Sequence, residues 1–146
     1  FHMFIGEYTH TLDPKKRLSL PAKFRAEIGR KAVITRGLDN CLFMYPMKSW
    51  AKIAAKLNEL PMGQADTRGF NRFMLSGAVE TDVDGAGRVL IPDFLKEFAG
   101  LKSHVVLAGV SDRVELWSEK VWSEYKRRIE RQADQMAEKL GEIGVL

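Results

Sequence analysis

Apolar and polar positions alternate where the chain begins. Phe4, Gly6, Tyr8, His10 and Leu12 face one way, and Ile5, Glu7, Thr9 and Thr11 the other. A period of two with aromatic and β-branched residues predicts a strand over 4–12. Asp13-Pro14 ends it in a turn, since proline presets φ and the Asp carboxylate accepts from backbone N–H groups further round. Leu18-Ser19-Leu20 resumes the extended chain. Pro21 suits a first helical position, and Phe24 and Ile28, four apart, stack on a helix over 22–28 that Gly29 stops. Strands over 32–37 and 41–45 form a hairpin around Leu38-Asp39-Asn40. After Pro46, a helix over 47–59 carries Trp50, Ile53, Ala54 and Leu57 on one stripe. Pro61-Met62-Gly63-Gln64-Ala65 is a linker. A short helix over 66–74 follows, with Phe70, Phe73 and Met74 among Arg68 and Arg72.

From Leu75 the pattern repeats. Gly6 aligns with Gly77, Asp13 with Asp84, Arg17 with Arg88, Pro21 with Pro92 and Gly29 with Gly100. One inserted residue then brings Gly37 onto Gly109, Lys48 onto Lys120 and Trp50 onto Trp122. The strand face recurs as Leu75, Gly77, Val79, Thr81 and Val83. A second hairpin falls at 104–108 and 113–117, turned by Ser111-Asp112. The last helix starts at a Ser118 cap and runs to about Leu140. This is a duplicated supersecondary unit. Its parts are a first repeat with its following helix over 3–60, a linker and short helix over 61–74, and a second repeat with a long terminal helix over 75–146. Neither copy holds much core alone, so the two are expected to pack as a dimer does, about a pseudo-twofold axis.

Composition narrows the class. Hydrophobic residues make up 45% of the 146, enough for a core. No apolar run approaches the ~20 residues of a membrane span. Phe1-His2 reads as an expression remnant ahead of Met3, without a secretory pattern. The one cysteine, Cys41, fits a reducing cytoplasm. Charge is more telling in its distribution than in its total of +4. Residues 15–36 hold eight cations (Lys15, Lys16, Arg17, Lys23, Arg25, Arg30, Lys31, Arg36) and one acid, Glu27, so the remainder is slightly acidic. A focused basic region suggests a polyanion partner, nucleic acid first, with a solvated basic surface as the alternative.

The repeated turns differ where that charge sits. Asp84-Gly85-Ala86-Gly87-Arg88 is neutral between its ends, and its glycines allow positive φ. Asp13-Pro14-Lys15-Lys16-Arg17 projects three adjacent cations, a costly arrangement unless an anion or water screens them. Arg17 and Arg88 can each brace its own loop through Asp13 or Asp84, a reading that carries most weight at Arg88. Arg17 reads as an exposed anion contact.

Met3-Phe4-x-Gly6-Glu7-Tyr8-x-His10-x-Leu12-Asp13 with Arg17-Leu18-Ser19-Leu20-Pro21-Ala22-Lys23-Phe24-Arg25 resembles the start of the bacterial MraZ proteins. Asn71-Arg72-Phe73 and Asp84-x-x-Gly87-Arg88-x-x-Ile91-Pro92 are similar to that family too. The resemblance implies a mainly β protein with peripheral helices (α+β). Two AbrB-like repeats of swapped hairpins would form one pseudo-dimeric double-split β-barrel. It implies a cytoplasmic, nucleoid-associated transcriptional regulator. Such a regulator assembles into rings and binds direct repeats of double-stranded DNA in the promoter of its own division and cell-wall operon. The Asp-x-x-x-Arg motifs, here Asp13 to Arg17 and Asp84 to Arg88, supply the DNA-facing surface. The family commonly has glycine where this chain has Lys16, so either that position needs no positive φ or Lys16 accepts modest strain.

The candidate DNA-binding residues are therefore Lys15, Lys16, Arg17, Lys23, Arg25 and Arg88, with Asp13, Asp84, Gly85 and Gly87 shaping the loops. Arginine suits a guanine edge and lysine suits phosphates. Trp122, Tyr125, Ile129, Met136 and Leu140 form an apolar series that either covers the chain's own core or serves a ring. Two competing readings are an antitoxin-like protein-binding module of the MazE kind and an oligomeric scaffold. The two-repeat organisation and the mixed-charge end argue against the first of these. An enzyme is not expected, nor a metal or cofactor: His2, His10 and His104 lack ligand spacing to Cys41, which reads as a buried apolar residue. The glycines of 85–87 lack the lysine-serine ending of a phosphate loop. Trp50, Trp117 and Trp122 read as core.

Overall fold

A computed structural model describes residues 3–145; the remnant reading of Phe1-His2 and the reading of His2 fall outside them. The first repeat runs β1 (Phe4–Thr11), β2 (Arg17–Ser19), α1 (Ala22–Ile28), β3 (Lys31–Arg36), β4 (Leu42–Pro46) and α2 (Met47–Asn58). After α3 (Ala65–Ser76) come β5 (Val79–Asp82), β6 (Arg88–Leu90), α4 (Asp93–Ala99), β7 (His104–Ser111), β8 (Arg113–Ser118) and α5 (Glu119–Glu142). The Ser118 hydroxyl accepts from Val121 N at 3.1 Å, the expected cap of α5.

Pairing interleaves the repeats. Six strands form one antiparallel sheet in the order β1-β7-β8-β4-β3-β5, and β2 pairs with β6 in a separate ribbon. The first strand of each repeat thus lies on the hairpin of the other, β1 on β7 and β5 on β3. At the centre Phe43 faces Glu115, and in the ribbon Leu18 faces Val89. Each pair joins repeat counterparts, so one pseudo-twofold axis passes through both. The six-stranded sheet is open; no ladder among the described residues closes it into the expected barrel.

The central strands are buried on both faces, which is why they read as continuous apolar runs. Ala32, Ile34, Leu42, Met44, Val105, Leu107, Val114 and Leu116 join Leu18, Val89, Phe24 and Leu95 of the ribbon and short helices in one core. On the other face Cys41, Phe43, Tyr45, Val106 and Trp117 pack with Leu57, Met74, Trp50 and Trp122 beneath α2, α3 and α5. All three tryptophans belong to that second core.

Two expectations change. Leu75 and Gly77 do not start the second-repeat strand: α3 continues through Ser76, and Gly77 keeps helical angles (φ −82, ψ −8). Packing overrides the alternating pattern there. Met74 is buried, and Thr35 Oγ1 donates to its carbonyl at 2.6 Å. The second correction concerns glycine alignment. Lys31 pairs with Asp82 and His104 with Thr11, so Lys31 and His104 are counterparts, and Gly109 matches Arg36 and not Gly37. Gly109 is small because β1 crosses it: a Cβ there would lie 2.5 Å from Ile5 N.

Candidate functional site

The two Asp-x-x-x-Arg turns fold alike, atom for atom. Asp13 Oδ1 accepts from Lys15 N and Arg17 N, both at 2.9 Å, and Oδ2 accepts from Arg17 Nε at 2.7 Å. Asp84 Oδ1 accepts from Ala86 N and Arg88 N, both at 2.9 Å, and Oδ2 from Arg88 Nε at 3.0 Å. These bonds hold both carboxyls below the ordinary carboxylate range. The arginine backbone N–H is the main cause in each loop, opposed by partial desolvation and helped by the guanidinium. The brace, open to both arginines by sequence and favoured there only for Arg88, forms at Arg17 as well. Its cause is the common spacing, which returns each arginine's Nε to the carboxylate that starts its turn.

The fourth turn position needs a left-handed residue. Gly87 has φ +78 and Lys16, its counterpart, φ +64, so Lys16 accepts the strain that glycine avoids. Gly85 does not take a positive φ; its counterpart is Pro14. Each loop also clasps the other repeat. Ile91 N donates to Lys16 O at 2.8 Å and Leu20 N to Gly87 O at 2.9 Å. Lys16 Nζ reaches Asp93 at the start of α4. Arg25, grouped by sequence with the first loop's cations, lies on the second loop, where its Nη2 donates to Gly85 O at 3.1 Å. Lys15 and Lys23 are exposed.

The ribbon sets the orientation of the arginines. Leu18 and Val89 point into the core, so Arg17, Ser19, Arg88 and Leu90 share the outer face, Arg17 across from Leu90 and Ser19 across from Arg88. His10 Nδ1 lies 2.7 Å from Ser19 O, and its counterpart Thr81 donates to Leu90 O at 3.5 Å. Neither Ser19, Leu90 nor Asp93 stood out in the sequence. Comparing the two copies position by position would have found them, because each differs in character from its counterpart.

Cys41 is fully buried, and burial pushes its thiol well above the usual range. Among the described residues, no three His, Cys, Asp or Glu side chains cluster to hold a metal ion. No described helix is long and apolar enough to cross a membrane.

Interleaved repeats with paired, carboxylate-braced arginine turns on a shared ribbon define a swapped, two-repeat β protein. The profile of the MraZ protein family, described as antitoxin-like, matches residues 3–73 and again 74–141. The chain belongs to this family. Similar proteins include the transcriptional regulator MraZ of Moorella thermoacetica, 52% identical over 98% of this chain and 100% of that one. Those of Thermoanaerobacter sp. (strain X514) and Clostridium beijerinckii are 48% and 49% identical over the same shares.

Proposed function

We propose that the chain is a sequence-specific DNA-binding transcriptional regulator that reads DNA with the outer face of the β2–β6 ribbon. One observation carries the reading: matching carboxylate braces hold Arg17 and Arg88 outward on neighbouring strands. A two-stranded ribbon fits a major groove about 12 Å wide. The braces use only Nε, and the terminal amino groups of both arginines make no hydrogen bond among the described residues. That leaves each fork free for guanine O6 and N7. Lys15 and Lys23 supply phosphate affinity by counterion release. Arg25 adds charge beside the second loop. The relatives named as transcriptional regulators support the same class.

The operator, on this reading, is a set of direct repeats in the promoter of the chain's own division and cell-wall operon. The protein binds it as a ring, in the cytoplasm and at the nucleoid. Support for a ring comes from α5. None of its residues is buried, and Met136 and Leu140 remain 37% and 39% exposed. A ring repeats one weak contact at fixed spacing and gains by effective concentration. Anisotropy titrations on the promoter DNA and on a scrambled duplex test the reading, with Arg17→Ala and Arg88→Ala beside the intact protein. Preferential binding that either substitution abolishes is expected. Equal, weak binding to both duplexes would instead favour the antitoxin-like module or the scaffold.

A further inference from the structure

We infer that Leu90 is a base-reading residue that contacts a thymine methyl group beside the base pair taken by Arg17. The inference rests on the DNA-reading role proposed above and adds a specificity determinant to it. Leu90 is 52% exposed on the ribbon's outer face, directly across from Arg17. Side chains so paired have Cβ atoms about 5 Å apart, close enough to reach neighbouring base pairs together. Leu90 is also held in place. Its carbonyl accepts from Thr81, and the next residue, Ile91, donates to Lys16 O. A strand pinned on both sides presents a fixed apolar group to the groove.

Chemistry selects the ligand. A leucine surrounded by Arg17, Arg88 and Ser19 has no apolar partner on the ribbon's outer face. Of the four bases, only thymine offers a methyl group at the major-groove edge. The counterpart of Leu90 is Ser19, so this position also breaks the pseudo-twofold symmetry of the reading surface. Both strands carry an arginine, but only one adds an apolar contact. The ribbon therefore reads an asymmetric sequence in one direction. Phe94, 46% exposed on α4, makes a protein contact the rival explanation for apolar surface in this region.

The test is a uracil scan. Each thymine of the promoter site is replaced singly by uracil, which lacks the methyl group. Intact protein and Leu90→Ser are titrated on every duplex, with circular dichroism confirming that the variant folds. At one position uracil should weaken the intact protein about fourfold, the equivalent of one buried methyl group. Leu90→Ser should bind the unmodified site about fourfold more weakly and no longer distinguish uracil from thymine there. If intact protein prefers the promoter but Leu90→Ser masks no uracil effect, this inference is overturned and the proposed function stands. If intact protein has no preference for the promoter, both fall. A Leu90→Ser variant that keeps the full uracil profile but changes oligomer size in light scattering would assign Leu90 to a protein contact and overturn the inference.

Discussion

Lys16 Nζ lies 2.6 Å from Asp93 Oδ2, an ion pair that joins the first repeat's loop to the second repeat's short helix. The counterpart positions, Gly87 and Ala22, carry neither charge. The two side chains are 41% and 63% exposed, so the pair contributes at most about 1 kcal/mol to stability. On the proposed reading, with Lys16 among the DNA-contacting cations, Asp93 competes with phosphate for it. Asp93→Asn should therefore tighten binding to any duplex and steepen the plot of log K against log salt by up to about one unit. Anisotropy at several salt concentrations checks this; an unchanged slope would place Lys16 away from the phosphates.

The backbone at Lys16 separates stability from binding. A non-glycine residue at φ +64 carries left-handed strain of about 1 kcal/mol. Lys16→Gly relieves it but removes a cation and the Asp93 pair. Relieved strain is offset by the lost pair and by the greater unfolded-state freedom of glycine, so stability in urea should change by less than about 1 kcal/mol, with weaker binding to all DNA sequences. Weaker binding accompanied by a larger loss of stability would mean that Lys16 mainly supports the loop.

Acid should loosen both turns together. The Asp13 and Asp84 carboxyls are lowered from 3.8 in the fold, chiefly by the backbone N–H of Arg17 and of Arg88. A lowered folded value means that the braces contribute fully above the unfolded value and lose their contribution as pH falls through the folded one. Neutral pH lies outside that window. The amide resonances of Arg17 and Arg88 should therefore shift together only below about pH 4. Asp13→Asn should abolish the titration at Arg17 and spare the one at Arg88. Persistence of both would show that another group drives the change.

Burial makes Cys41 a probe of the second core. It is fully buried, donates its thiol hydrogen to Leu38 O at 3.2 Å, and ionises only well above the usual thiol range. A thiol reagent at neutral pH should leave the native chain unlabelled and label it quickly in denaturant. Rapid native labelling, followed by mass spectrometry, would indicate that the hairpin around Asp39 and Asn40 opens readily.

Local order was readable from local pattern. Phe24 and Ile28 mark α1, the Trp50 stripe marks α2, and Ser118 caps α5, because each signal lies within a few residues. Strand partners were not readable, since β1 finds β7 about a hundred residues away and only the duplication hints at the exchange. The alternating Leu75, Gly77 and Val79 pattern misplaced a strand start because burial of Met74 favours helix. At the site, three adjacent cations tilted the reading of Arg17 towards an anion contact and away from the brace. The equal spacing in both copies already carried that information. The contact of Arg25 was hidden for another reason: its partner, Gly85, belongs to the other repeat.

Exchange of strands also predicts how the chain responds to cutting. Neither half can satisfy its own sheet: β1 takes its whole ladder from β7, and β5 takes its ladder from β3. The ribbon likewise needs one strand from each half. Residues 61–64 lie in an exposed loop between α2 and α3, so cleavage there breaks none of these ladders. A chain expressed as two pieces divided at Gly63 should form a one-to-one complex with the circular dichroism of the intact protein. The ribbon forms only in that complex, so DNA binding should return with it. Native mass spectrometry and anisotropy on the same mixtures give both readings. An N-terminal piece that folds as a monomer and binds DNA alone would contradict the interleaved pairing, because Leu18 would then be buried without Val89.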